Sequence, residues 1–283
     1  TRVRYAYDSA NRLSTVTVDL SPEDNAVADG KTYVTTYGYD GTSKRVASVT
    51  QSDGTSLAFT YVLVGTDYRV ATVKDGLGQS TSYAYDSANR TTTVTDAMGL
   101  VSVYVYDAAG QLTQIKAPAV NGVQQITTFT YDANGRQTVA SYPSTSSSPT
   151  TGNWTSYDAL GRTTSSSVDS DSGTLTTLTS YLSGHRTQLT DPRNLQTTTS
   201  YQVYDQPAYD SPTLILAPED SRTAINRDVF GKPLSITRSN GSGSVSVTRS
   251  YVYQADQQLC KSIEPEAGAT VYGYDAAGNI VKS

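Results

Sequence analysis

The sequence predicts an all-β protein: antiparallel β-hairpin repeats, about a dozen of them, joined in one curved or spiralling sheet. Three observations carry this. A Tyr-Asp pair recurs at nearly even spacing along the 283 residues. Most pairs are followed, three residues after the Asp, by Gly or Asn. The segments between are rich in Thr, Val and Tyr and show no helical period.

The octapeptide "YAYDSANR" makes the repeat plain. It stands at Tyr5 to Arg12 and again, unchanged, at Tyr83 to Arg90. The Tyr of each Tyr-Asp pair serves as an anchor. Clear anchors are Tyr7, Tyr39, Tyr85, Tyr106, Tyr131, Tyr157, Tyr204 and Tyr274, with degenerate ones at Tyr61, Tyr181, Arg227 and Tyr253. From Tyr39 on, neighbouring anchors are 21 to 26 residues apart. A second Tyr often precedes the anchor by two, as at Tyr5, Tyr83 and Tyr104. Residues i and i+2 share one strand face, so the two rings form a patch there.

Asp at i and Gly at i+3 mark a type I turn, with the last position left-handed and closing a hairpin with a bulge. Gly adopts that conformation freely, and Asn is the next best residue. The expected turn sites are therefore Tyr7, Asp8 and Asn11; Tyr39 and Asp40; Tyr85, Asp86 and Asn89; and Tyr106, Asp107 and Gly110. Further along come Tyr131, Asp132 and Gly135; Tyr157, Asp158 and Gly161; and Tyr274, Asp275 and Gly278. Each Asp carboxylate is expected to bond turn N–H groups.

A second class of turn alternates with the first: "KDGLG" at Lys74, "TDAMG" at Thr95 and "TDPRN" at Thr190. In the best-preserved part the turns fall at Asp75, Asp86, Asp96 and Asp107, ten or eleven residues apart. That spacing is a meander of strand, turn and returning strand, so one repeat is two strands. So long a sheet cannot stay flat, because strand twist accumulates. Irregular loops are expected near 21–30, 141–154 and 206–221. The anchors keep step across them, so residues 1–283 read as one repeat array.

Composition fits a thin sheet better than a deep core. Hydrophobic residues are 36%, and 22 Tyr stand against 3 Phe and 1 Trp. Tyr suits a surface with one dry and one wet side. Its recurrence beside each turn reads as cross-strand Tyr ladders that hold the register. The net charge of −5 and the absence of a basic run argue against nucleic-acid binding. No apolar stretch is long enough for a transmembrane helix, so no membrane insertion by this segment is expected.

The Tyr-Asp-x-x-Gly-Arg units, closest in "YDANGR" at Tyr131 and "YDALGR" at Tyr157, resemble the YD repeats of the rearrangement hot spot (Rhs) family. Such repeats also occur in the C component of insecticidal toxin complexes and in teneurins. The resemblance covers essentially the whole chain. It implies a β-sheet wound into a hollow shell that, in bacterial members, encloses a toxic polypeptide until delivery. It thus implies a non-catalytic shell segment, partnered by a cargo polypeptide and by the rest of the shell. The implied location is secreted or on the bacterial cell surface, with any targeting signal outside this segment. The alternative is an extracellular adhesion or carbohydrate- or protein-binding module built from the same repeats.

No catalytic constellation competes with this reading. His185 is the only histidine and Cys260 the only cysteine, and they lie far apart in sequence. A nucleophilic site needs partners that converge. "DSDSG" at Asp169 offers two carboxylates with no following acid, which suits a turn better than Ca²⁺. Turn aspartates bonded to N–H groups are held as anions, the wrong state for a general acid. No cofactor, no metal and no enzymatic activity are expected.

Overall fold

The computed structural model describes residues 3–21, 30–204 and 208–283. It is all-β, with no helix among the described residues. Most of the loop expected at 21–30, and part of that at 206–221, lies outside them. The chain divides into two compact units, 1–152 and 153–283.

The first unit runs β1 (Val3–Tyr7), β2 (Leu13–Asp19), β3 (Thr32–Tyr39), β4 (Val46–Gln51), β5 (Ser56–Val64) and β6 (Asp67–Asp75). It continues with β7 (Ser80–Asp86), β8 (Thr91–Thr95), β9 (Val101–Tyr106), β10 (Leu112–Lys116), β11 (Ile126–Tyr131) and β12 (Gln137–Ser141). Each strand pairs antiparallel with the next.

The second unit runs β13 (Gly152–Tyr157), β14 (Thr163–Ser170), β15 (Gly173–Leu182), β16 (Arg186–Thr190), β17 (Gln196–Tyr201) and β18 (Pro212–Ala217). It ends with β19 (Ser221–Arg227), β20 (Pro233–Asn240), β21 (Ser246–Tyr253), β22 (Leu259–Glu264) and β23 (Gly268–Val271). These too pair each with the next. A short hairpin, β24 (Gly273–Tyr274) and β25 (Ile280–Lys282), follows.

Local sequence explains these strands. Thr, Val and Tyr fit a pleated, half-covered surface. Hydroxyls meet across neighbouring strands, as in Thr60 with Thr72 at 2.6 Å and Thr237 with Thr248 at 2.8 Å. Such directly opposed pairs reinforce the register.

No hydrophobic side chain is fully buried among the described residues. Apart from Gly152, the buried residues among those described are polar: Asp19, Ser21, Ser141 and Ser262. Order in this fold must therefore come from ladders, turns and contacts between neighbours, as in other repeat arrays.

Two expectations are corrected. Residues 212–217, expected to be irregular, form β18, because the run "PTLILA" is a good strand sequence that pairs with both β17 and β19. Tyr204 is not an anchor. It sits in a bend with 65% of its surface exposed. The anchor position belongs to Tyr201, which ends β17 and faces Pro212 across a bulge. Its loop is longer than the standard turn, which carried the Tyr-Asp pair away from the strand end.

Gly152 is held by close backbone approach. A Cβ there would lie 2.5 Å from Ala140 O and 2.6 Å from Ser141 Cα. At Gly54 a Cβ would meet nothing within 4 Å. Gly152→Ala should destabilise the fold by about 1–3 kcal/mol. Gly54→Ala should cost only its positive-φ strain, about 1 kcal/mol. Urea denaturation of the two variants checks the difference.

Candidate functional site

The recurring site is a turn, and it is built the same way nine times. At Asp8, Asp75, Asp96, Asp107, Asp132, Asp158, Asp191, Asp228 and Asp275 the Asp N–H donates to the carbonyl four residues on. The N–H of residue i+3 donates back to the Asp carbonyl. Asp Oδ1 then accepts from the N–H groups of i+2 and i+4, at 2.9 and 2.8 Å for Asp8. The same pair recurs at Asp132 and Asp275.

The residue at i+3 has positive φ: Asn11, Gly110, Gly135, Gly161 and Gly278 among the Tyr-Asp turns. The geometry also covers the second turn class, through Gly78, Gly99 and Asn194. Even Gln254, in place of Asp, keeps the backbone pattern, with Gln257 at φ 70°. The anchor faces the residue six positions on across a bulge, as Tyr7 faces Leu13 and Tyr157 faces Thr163.

Two of the expected Tyr-Asp turn sites depart from the pattern. Asp40 closes a wider loop to Arg45 and pairs with its guanidinium at 2.7 Å. The second octapeptide differs from the first. The left-handed residue there is Arg90 at φ 52°, not the expected Asn89, and Tyr85 faces Thr92 with no bulge. Here the loop is one residue longer.

At most of the described anchors the Tyr hydroxyl reaches back to the preceding repeat. Tyr39 OH donates to Leu13 O at 2.7 Å, and Tyr61 OH to Val46 O at 2.6 Å. Tyr85 OH donates to Val70 O at 2.8 Å, and Tyr131 OH to Leu112 O at 2.7 Å. Tyr181, Tyr253 and Tyr274 do the same to Thr163, Pro233 and Leu259. Each acceptor lies at or near the start of the return strand that follows the previous turn. Arg227, which replaces the anchor Tyr, sends Nε–H to Pro212 O at 2.9 Å instead.

The residue after the left-handed position reaches forward. Arg12 pairs with Asp8 at 2.7 Å, donates to Gly41 O and Ser43 O, and lies 4.4 Å from the Tyr39 ring centroid. Arg162 pairs with Asp158 and lies 3.9 Å from the Tyr181 ring centroid. Gln111 donates to Gly135 O at 3.1 Å, and Lys232 to Gln257 O. At Tyr39, Tyr131, Tyr181 and Tyr253 the repeat is thus joined to the one before it by a phenol going one way and a cation or amide going the other.

The expected Tyr ladder is not what binds the strands. Among the described residues, ring-to-ring contacts join Tyr209 to Tyr181 and Tyr201, at 5.4 and 5.3 Å. Tyr209 lies in a loop, and Arg162 donates to its hydroxyl at 3.1 Å. The anchor rings act through their hydroxyls and, at Tyr39, Tyr61, Tyr85, Tyr181 and Tyr253, through a cation over the ring. Anchors are a full repeat apart, two strands, which is too far for ring stacking. The ratio of 22 Tyr to 3 Phe was the available signal, because only Tyr carries the donor.

Six of the turn carboxylates, Asp8, Asp86, Asp132, Asp158, Asp191 and Asp275, are held as anions. At Asp132 and Asp158 the Arg136 and Arg162 side chains, with turn N–H groups, hold the acid below its ordinary range. At Asp8 and Asp191 the N–H groups of Arg12 and Leu195 lead the same downward shift. At Asp86 and Asp275 the Asn89 and Asn279 side chains lead it.

His185 sits in the β15–β16 turn at φ 52°, and Cys260 is half-buried in β22. No group of three His, Cys, Asp or Glu residues suited to a metal occurs among the described residues. No described helix is long and apolar enough to cross a membrane.

The fold and its turns define an antiparallel hairpin-repeat protein whose recurring chemistry is structural. A family model described as RHS Repeat matches residues 69–99, 85–119 and 106–147. Over that stretch the chain is similar to the RHS repeat, and the same Asp turns recur on either side of it. No curated protein matches the chain.

Among solved structures, a TcdB2-TccC3-Cdc42 chain matches with TM-score 0.47 and 16% identity. The match covers 92% of this chain and 15% of that one. A TcdB2-TccC3 chain matches with TM-score 0.31 and 16% identity, over 99% and 17%. A porin-like protein from Bacteroides uniformis matches with TM-score 0.19 and 14% identity, over 95% and 94%. At these scores the likenesses carry no argument about shape. The chain spans about a sixth of the length of the two TccC3-containing chains.

Tyr131→Phe should destabilise by about 0.5–1.5 kcal/mol, since Leu112 O loses its donor. Tyr204→Phe should change stability by less than about 0.5 kcal/mol. Equilibrium denaturation of both decides whether the hydroxyl or the ring matters.

Acid should loosen the turns. A carboxyl with a lowered folded pKa contributes stability above the unfolded value, and that contribution is lost as pH falls through the folded pKa. The melting temperature should therefore fall on acidification below about pH 4. It should fall less in an Asp132→Asn, Asp158→Asn variant.

Asn11→Val should cost about 1–2 kcal/mol, because a β-branched residue resists φ 58°. Asn89→Val should cost less, since it forfeits only an exposed bond to Asp86. Equal losses in thermal melts would contradict the two turn assignments.

Proposed function

We propose that this chain is a stretch of shell wall, a non-catalytic β-sheet that encloses and carries a polypeptide cargo. The supporting observation is the two-way join between repeats. Several turns offer a carbonyl to the next Tyr and a side chain to the next turn, so the wall can extend without a hydrophobic core. The RHS-repeat match supports the same reading. Because the turn pattern runs through both units, we read residues 1–283 as one array.

The cargo in this reading is a toxin domain. The setting is a bacterial secretion or competition system, with the protein secreted or held at the cell surface. A continuous hydrogen-bonded wall would exclude proteases by sieving, since ladder N–H and C=O groups are already paired. The acidic, hydroxyl-rich surface would keep it soluble.

Electron microscopy of the natural protein that carries these repeats tests the proposal. A hollow particle with density inside, and a cargo that proteases digest only after acid opening, is the expected result. A solid globule or a rod, or a cargo digested at once, would overturn it.

A further inference from the structure

The second octapeptide leaves a gap in the joining pattern. Its turn is one residue longer than the first, and this moves Arg90 into the left-handed position. Asp86 is bonded by Asn89 through both N–H and Nδ2, at 3.0 and 2.7 Å, where Asp8 holds an arginine. Arg90 consequently makes no ion pair and sends no side-chain bond to the next turn, unlike Arg12, Gln111 and Lys232.

The next anchor is affected too. The Tyr106 N–H donates to Arg90 O at 2.9 Å, but among the described residues its phenol has no hydrogen-bond partner. Tyr39, Tyr85 and Tyr131 all have one.

A cavity of about 640 Å³ opens between these two turns. Its wall includes Arg69, Tyr85, Arg90, Thr92 and Tyr106. Arg69 lies 5.3 Å from the Tyr85 ring centroid and makes no ion pair. Asp86 and Asp107 also line the cavity, but their carboxylates are bonded into their own turns. The free charged donors are two guanidinium groups; the Tyr106 phenol and the Ser87, Thr91 and Thr92 hydroxyls line the wall beside them.

We propose that this gap is a binding site for a carboxylate group, held by Arg90 and Arg69 with Tyr106 OH as a further donor. Guanidinium matches a planar carboxylate through paired N–H donors. A phosphate brings up to two charges on the one group that would face the two wall carboxylates, whereas each carboxylate of an organic acid or peptide brings one, so the site favours a carboxylate. The source is either a small organic acid or an acidic peptide side chain. This inference does not depend on the shell reading.

Calorimetric titration at low salt tests it, with citrate, N-acetyl-Glu-Glu-Glu-amide and inorganic phosphate as probes. Saturable binding of citrate or the peptide is expected, and the tighter of the two identifies the source. Arg90→Gln and Arg69→Gln should each weaken it about tenfold, the scale of one charge-assisted bond. Tyr106→Phe should weaken it severalfold, and Arg186→Gln in the other unit should leave it unchanged. Thermal melts confirm that each variant is folded. No saturable binding, equal binding by the folded Arg90→Gln protein, or tighter binding of phosphate than of either carboxylate would overturn the proposal.

Discussion

The carboxylate that closes each turn is the constraint on which this structure depends. A sheet with no buried apolar core cannot leave the return of each strand to collapse around one. The return must be set locally. Asp Oδ1 takes two turn N–H groups, and the left-handed residue at i+3 then places the bulge. The bulge sets the register, and a register error of one residue would move every side chain to the other face. Only with the register set does the anchor hydroxyl come within reach of the preceding return strand.

The joins between repeats follow from that geometry and explain the composition. A phenylalanine would fill the same space as Tyr131 but leave Leu112 O without its donor. An arginine two residues beyond the i+2 position of the turn serves two repeats at once. It neutralises its own Asp and covers the next Tyr, as Arg12 does with Asp8 and Tyr39. The chemistry can change if the donor stays. Arg227 replaces a Tyr and still feeds Pro212 O. Gln254 replaces an Asp and keeps the turn's backbone bonds. Donors and backbone geometry therefore recur more faithfully than residue identity.

The two copies of "YAYDSANR" show where local information ends. Both are hairpin corners, but Asn11 is left-handed in one and Arg90 in the other. Their internal residues are identical, so the difference lies in their neighbours. In the first copy, Arg12 is held by Asp8 and by the Gly41 and Ser43 carbonyls of the following repeat. In the second, Arg90 has no such acceptors, and Asn89 takes Asp86 instead. An eight-residue segment with two accessible turns adopts the one its neighbours complete.

The sequence by itself determined the fold class, the meander and most of the turn sites. Those depend on short-range rules: Asp to Gly or Asn over three residues, and strand propensity between. It also carried the resemblance to Rhs repeats through recurrence of one short motif. The tertiary structure alone decided three things. It assigned Tyr201 rather than Tyr204 as an anchor, because strand pairing fixes where a strand ends. It gave the Tyr side chains their task, because their acceptors lie 15 to 26 residues away. It exposed the gap beside Arg90, because a missing contact between repeats leaves no mark in either repeat's own residues.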